Sequence, residues 1–496
     1  MQDGSNTMSP PFTPLYIDGA WRPSSTGATF QVRNPTSGEI VGTAAAASAE
    51  DCADAVRAAA EAFKTWEHTP LSMRRDILLK ASEILAAKKH EVQSAAREET
   101  ATTEDWMWVN YEWPIDQMRD MAAATMLLRG ETGQSIIPGG QVFTHRRAIG
   151  VVLSIVPWNA PIILTLRAVA VPIICGNTVV LKTSEVSPRI QALVVEVLAE
   201  AGLPRGVLNC ISTNKEDAPA RTTELIAHPA VRKINFTGSD VVGRIIAREA
   251  GKHLKPCVFE LGGKAPVVVL DDADIPRAAR AITSSALLHS GQICMSTERV
   301  IVQRGAAEEL LKHLTDLFAR VKAGDPDADR AAHIGAMFEP GSTDNVISML
   351  KDATANGAKL LVGDLKKQGA IMQPHLVVDV KPGTRIWDRE TFAPVVVVAV
   401  ADTVDEAVDI ANSSDYSLVA SVWTRDIYKA FNVAGRIRAG TNNINGPTVH
   451  VETIRENGGL GGSTGYGVFM VEDWTQTRMI VLHPEQEPPY PLTARL

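Results

Sequence analysis

The sequence predicts an α/β protein built on a doubly wound parallel sheet, followed by a second α/β region. From Gly150 on, short apolar runs alternate with amphipathic stretches: Val151 to Val156, Thr178 to Leu181, Gly206 to Ile211 and Val231 to Phe236 read as buried strands. A similar alternation restarts after Gly263. The chain has 496 residues, 45% hydrophobic and 21% charged, which is enough for two or three cores.

The elements follow in order. Ser48 to Trp66 reads as a helix: Ser48 and Asp51 have capping-box spacing, and Ala53, Val56, Ala60 and Phe63 share a face. A second helical pattern runs through Leu85, whereas Met121 to Arg147 fits neither period. Pro188 to Ala201 is a helix with proline in its first turn and Gly202 as its stop. Ser239 is placed to cap a helix reaching Gly251. In the second region Pro266 to Leu270, Arg299 to Val302 and Val395 to Val400 read as strands, and Asp274 to Ser290 as one helix. Thr475 to Leu482 reads as an exposed strand, which invites pairing with another subunit.

The net charge of −8 argues against non-specific binding to nucleic acid or anionic membrane. Cys52, Cys175, Cys210, Cys257 and Cys294 lie far apart, so neither a disulfide framework nor a metal site is expected. Neither a secretory leader nor a membrane span is expected, which points to the cytoplasm. The ending Ala494-Arg495-Leu496 resembles a peroxisomal address, meaningful only in a eukaryote.

Several signatures fail on their context. Gly459-Leu460-Gly461 has Thr464 where a dinucleotide fingerprint needs its third glycine, and Gly238 to Gly243 lacks the Lys-Ser/Thr of a P-loop. Gly461-Gly462-Ser463-Thr464-Gly465 matches a nucleophile elbow, but its flanks read as a surface loop rather than strand and helix.

Four segments remain. They are Pro157-Trp158-Asn159-Ala160-Pro161 at the end of a buried strand, Gly176 to Glu185 containing Lys182, Phe259-Glu260-Leu261-Gly262-Gly263-Lys264, and Gly291-Gln292-Ile293-Cys294-Met295-Ser296-Thr297-Glu298-Arg299. Singly, each has a bland reading: a core cysteine, a salt-bridged carboxylate, a turn asparagine, a surface lysine. Together, in this order and with 34 residues from Glu260 to Cys294, they resemble the aldehyde dehydrogenase superfamily over about Tyr16 to His483.

The resemblance implies a Rossmann-like NAD-binding domain (1–124 and 148–262), a catalytic domain (263–470) and a small β oligomerisation element (125–147 and 471–496) in a homodimer or homotetramer. It implies that the Cys294 thiolate attacks the aldehyde, that Asn159 and the Cys294 backbone N–H receive the oxyanion, and that Glu260 activates the water that cleaves the thioester. Relatives that transfer the acyl group to coenzyme A tend to lack that acid. Lys182 looks like the ribose-binding lysine, and Glu185 would repel a 2′-phosphate, favouring NAD. Gly238 and Ser239 meet the pyrophosphate at a helix N-terminus with Trp158 nearby, Leu261 lies against the cofactor, and Glu390 and Phe392 grip the nicotinamide half. Ala393 stands where relatives have glycine.

The stretches around Asn159, Cys294 and Ile444 to His450 are similar to the vanillin and salicylaldehyde dehydrogenases, so an aromatic aldehyde is expected. Trp106, Leu164, Arg167, Ile293 and Met295 would line the pocket, with Trp106 and Arg167 suited to a hydroxylated ring. Glu456-Asn457-Gly458-Gly459 replaces the Pro-Phe-Gly-Gly of relatives, which puts one aromatic wall in doubt. The competing readings are an aliphatic substrate, coenzyme A as acceptor, a non-catalytic relative, and a serine hydrolase using Ser463.

Overall fold

In the computed structural model, which describes residues 10–329, 331–452, 457–485 and 492, the apolar runs after Gly150 form one parallel sheet. Its strands stand in the order Cys257–Glu260, Val231–Thr237, Val151–Ile155, Thr178–Lys182, Leu208–Ile211, and antiparallel Leu15–Ile17 and Ala20–Arg22 extend the last edge. Of the parallel strands, the first in the chain, Val151–Ile155, lies in the middle, and the chain winds outward from it on both sides. That leaves a crevice beyond the carboxyl ends of Val151–Ile155 and Val231–Thr237, where the winding reverses.

Helices cover both faces. Val152, Val179 and Leu181 pack into one core with the helices Leu71–Ala87, Glu104–Ala123, Pro161–Ile174 and Pro188–Glu200. Val151, Leu153 and Val180 point into the opposite core, against Ala49–Trp66 and Asp240–Lys252. Burial on both faces is why these strands are continuous apolar runs rather than alternating ones. The capping box forms: Asp51 N–H donates to Ser48 Oγ at 3.1 Å, and Ser48 N–H to Asp51 Oδ2 at 2.9 Å.

A second seven-stranded sheet, parallel but for one edge, has Ala265–Val269 and Thr297–Gln303 at its centre, flanked by Val395–Ala401 and Val419–Trp423. A third sheet pairs Gln141–Ala148 with Thr132–Gln134 and, through eight registered residues, with Thr475–Leu482. Seven of the eight residues of that last strand are exposed, and its outer edge is free of any neighbour among the described residues.

Two expectations are corrected. The helix expected over Asp274 to Ser290 ends at Leu287, because His289 (φ 50°) and Ser290 (φ 58°) turn left-handed and break the helical hydrogen bonds. Gly461 to Gly465 is not a surface loop: Ser463 and Thr464 are buried in a tight turn between the antiparallel strands Asn457–Leu460 and Tyr466–Val468. Met121 to Arg147, which fits neither period, comprises the end of Glu104–Ala123 and two strands, one of them paired with Thr475–Leu482; the helix shows no clear period because Pro114 lies inside it and polar Asn110 and Gln117 are buried. Ala494 to Leu496 and Glu456 lie outside the described residues.

Candidate active site

Asn159 leaves the central strand Val151–Ile155 and enters the buried helix Pro161–Ile174, whose first residue is proline. Glu260 ends the edge strand Cys257–Glu260, and its carbonyl accepts from Gly238 N–H at 3.0 Å. Four residues, 261–264, then lead to the central strand of the second sheet. Glycine is required there: a Cβ on Gly263 would stand 2.0 Å from the Cys294 carbonyl oxygen. Cys294 lies in the turn before Thr297–Gln303, held by Ser296 N–H donating to Ile293 O at 2.8 Å. The site therefore sits on the seam between the two large sheets.

The Cys294 thiol donates to Glu260 Oε1 at 2.8 Å. Burial pushes the thiol pKa well up, the Glu260 carboxylate adds to the rise, and the Arg167 guanidinium opposes it. Glu260 is 3% exposed and forms an ion pair with Arg167. Arg167 also donates to Thr237 Oγ1 at 2.9 Å and lies 4.0 Å over the Phe469 ring. Its charge is thus turned toward the acid at the wall of the cavity. Asn159 Nδ2 donates to Gln292 O at 3.0 Å, and Trp106 Nε1 to Asn159 O at 2.8 Å.

A cavity of about 200 Å³ opens on these groups. Asn159, Glu260 and Cys294 line it, as do all five expected pocket residues: Trp106, Leu164, Arg167, Ile293 and Met295. Its walls are mainly apolar; an apolar cavity of about 150 Å³ is known to take up a benzene ring. Trp113, His450 and Glu452 also line it; Trp113 and Glu452 escaped sequence reasoning, and His450 entered only as the end of a family-like stretch. Trp113 sits on the unrecognised helix Glu104–Ala123, and the others lie on a loop whose place depends on the second sheet.

The residues expected to hold NAD gather around the crevice. Ser239 caps Asp240–Lys252 by accepting from Val242 N–H at 3.4 Å, and Leu261 packs against Gly243 of that helix. Lys182 is buried at the end of the adjacent strand, where its ammonium donates to Thr183 O at a long 3.4 Å. Burial lowers its pKa and the charge of Glu185 opposes the fall. A buried ammonium with one long bond fits a ligand rich in hydroxyls. Phe392 meets Trp158 edge-on, with ring centres 6.1 Å apart. Glu390 accepts from Gly263 N–H at 2.8 Å. Burial raises its pKa well above the usual carboxylate range, and Glu298 adds to the rise.

Glu298, quoted in the sequence only as part of a motif, anchors this loop. It pairs with buried Lys264 and accepts from Thr391 N–H at 2.9 Å, Thr391 Oγ at 2.8 Å and Phe392 N–H at 3.0 Å. Ser463, the hydrolase candidate, donates to Asp415 Oδ2 at 2.7 Å and accepts from Arg244 at 3.0 Å. It lies in an antiparallel hairpin, without the strand–turn–helix an elbow needs.

Comparison with known proteins agrees with this geometry. The aldehyde dehydrogenase family model matches residues 21–480. The chain is 42% identical to a vanillin dehydrogenase of Pseudomonas fluorescens over 95% of its length and 97% of that protein's. It is 40% identical to a salicylaldehyde dehydrogenase of Pseudomonas putida, covering 96% and 100% of the two chains. A crystal structure of a salicylaldehyde dehydrogenase from Pseudomonas putida, complexed with salicylaldehyde, superposes with a TM-score of 0.94 at 39% identity, over 97% and 100% of the chains. On both sequence and fold, this chain belongs to the aldehyde dehydrogenase family.

Proposed function

We propose that this protein oxidises aromatic aldehydes of the hydroxybenzaldehyde class to carboxylic acids with NAD, through a thioester on Cys294. The observation that carries the reading is the Cys294–Glu260 contact at 2.8 Å inside a largely apolar cavity of about 200 Å³. Its relatives' substrates, vanillin and salicylaldehyde, support the aromatic class.

Glu260 takes the thiol proton through the existing hydrogen bond, and the sulfur attacks the carbonyl carbon. The carbonyl electron pair moves to oxygen, where Asn159 Nδ2 and the Cys294 N–H stabilise it; one such donor contributes on the order of 3 kcal/mol. When bound, NAD supplies the hydride acceptor. With the thioester formed and the thiol proton passed from Glu260 to solvent, Glu260 removes a proton from water, the hydroxide attacks the acyl carbon, and the Cys294 sulfur leaves as a thiolate that Glu260 reprotonates as the acid is released. Lys182 and Glu185 read the adenosine ribose, Gly238, Ser239, Leu261 and Trp158 surround the pyrophosphate, and Glu390 and Phe392 position the nicotinamide half. Arg167 acts on Glu260 through their ion pair.

The chain divides, on this reading, into an NAD-binding domain (1–124 and 148–262), a catalytic domain (263–470) and an oligomerisation element (125–147 and 471–496). The exposed strand Thr475–Leu482 supports a homodimer or homotetramer. Among the described residues, no helix is long and apolar enough to cross a membrane.

The test is NADH formation by purified protein with benzaldehydes and straight-chain aldehydes, with NAD or NADP, and with or without coenzyme A. Hydroxybenzaldehydes with NAD and no coenzyme A should give the highest kcat/KM. A clear preference for short alkanals would refute the aromatic assignment, and a requirement for coenzyme A the hydrolytic one.

A further inference from the structure

Behind the cavity, four residues close on one another in a ring of contacts. The His289 imidazole stacks on the Trp106 indole, with centres 5.3 Å apart and planes 16° from parallel. Trp106 Nε1 donates to the Asn159 carbonyl at 2.8 Å, and Asn159 Nδ2 donates to the Gln292 carbonyl at 3.0 Å. Gln292 returns to the start, its backbone N–H and its Nε2 both donating to the His289 carbonyl at 3.1 Å. The remaining oxygen of Gln292 accepts from Phe338 N–H at 2.8 Å, so this side chain cannot turn without breaking several bonds.

We propose that His289 is a positioning residue for the Asn159 amide, acting through Trp106 on one side and Gln292 on the other. The inference rests on the reading of Asn159 as an oxyanion donor. An asparagine amide can rotate, and a half-turn would present its oxygen to the developing negative charge. One of its two N–H bonds is spent on Gln292, which fixes the amide plane and leaves the second for the cavity shared with Cys294. Preorganised donors stabilise a transition state because no reorientation is needed at the moment of reaction.

The backbone at His289 supports this role. It is left-handed (φ 50°, ψ 35°), a conformation seldom adopted by residues other than glycine. Such strain persists where surrounding contacts over-determine it. Here it turns the carbonyl to both Gln292 donors and the ring to Trp106, while the Trp158 ring centre lies 5.9 Å from that of His289. The imidazole is buried, and Nε2 has no hydrogen-bond partner among the described residues. Burial pushes its pKa down to about 3, so the ring stays neutral in any working buffer. Its contribution is therefore the plane it presents to Trp106.

The experiment compares the single-turnover rate of NADH formation from benzaldehyde in the full-length protein, His289→Asn, Asn159→Ala and the double variant. Asparagine tolerates the left-handed backbone but removes the ring. His289→Asn should lower this rate about threefold or more, with KM for both substrates nearly unchanged, whereas in the Asn159→Ala background the factor should fall below about twofold. A loss smaller than threefold in the first background, or of twofold or more in the second, overturns the proposal. If His289→Asn does not fold, His289→Gly takes its place with the same thresholds, since glycine also accepts the left-handed backbone and removes the ring. No NADH from benzaldehyde with the unaltered protein would instead refute the proposed activity, and is seen before any variant is compared.

Discussion

The Cys294 thiol points at Glu260, Sγ to Oε1, at 2.8 Å, while the other carboxylate oxygen faces Arg167. One acid thus touches the nucleophile and is itself held by a buried cation.

Removal of the acid should separate the two halves of the reaction. Glu260→Gln should still release a full burst of NADH, though a slower one because the thiol must then lose its proton to solvent, while steady turnover falls about 10²-fold or more, the usual contribution of a general base. Rapid-mixing absorbance at the NADH band measures both phases; a proportionate loss of burst and turnover would assign Glu260 to acylation alone. Cys294→Ala should form no NADH at all.

The thiol's titration should respond to the same substitution. The Glu260 charge and its hydrogen bond both raise the Cys294 pKa, so removing the charge lowers it. The rate of iodoacetamide labelling at Cys294 should therefore rise at a lower pH in Glu260→Gln than in the unaltered protein. An unchanged or higher midpoint would contradict this coupling.

Arg167→Met should be destabilising and should impair every aldehyde, not only hydroxylated ones. Breaking a buried ion pair by removing one partner typically costs about 3–5 kcal/mol, because the remaining charge is left unpaired. Since Arg167 also lowers the thiol pKa, labelling should shift to higher pH. Denaturant unfolding and the labelling profile check the two effects separately.

Glu185→Gln should raise kcat/KM for NADP relative to NAD, since it removes the negative charge beside Lys182 that opposes a 2′-phosphate. A ratio that does not move would transfer cofactor choice to other residues.

Ser463→Ala should retain NADH formation and lose about 1 kcal/mol of stability with its bond to Asp415. Loss of activity without loss of stability would reopen a direct role for Ser463.

Much of this was legible along the chain. The strand Val151–Ile155, the cap at Ser48, the helix after Ser239 and the eight-residue strand Thr475–Leu482 all follow from local period and capping chemistry, which act within a few residues. Glu104–Ala123 was not legible: with Pro114 inside it and polar Asn110 and Gln117 buried, its face is defined by neighbours distant in sequence. The same holds for the break after Leu287, where Ser290 Oγ donates to the carbonyl of Gly335 at 2.8 Å.

The sequence by itself determined the alternation of strand and helix after Gly150, the presence of a thiol, an acid and an amide in family-like segments, and hence the family. Only the tertiary structure decided that Arg167 faces Glu260, that His289 lies against Trp106, and that Ser463 is buried in a hairpin. Periodicity records which face of an element is apolar, but an ion pair or a ring stack between residues far apart in the chain depends on how separate elements meet. That meeting is set by packing of the whole core, and no local stretch of residues encodes it.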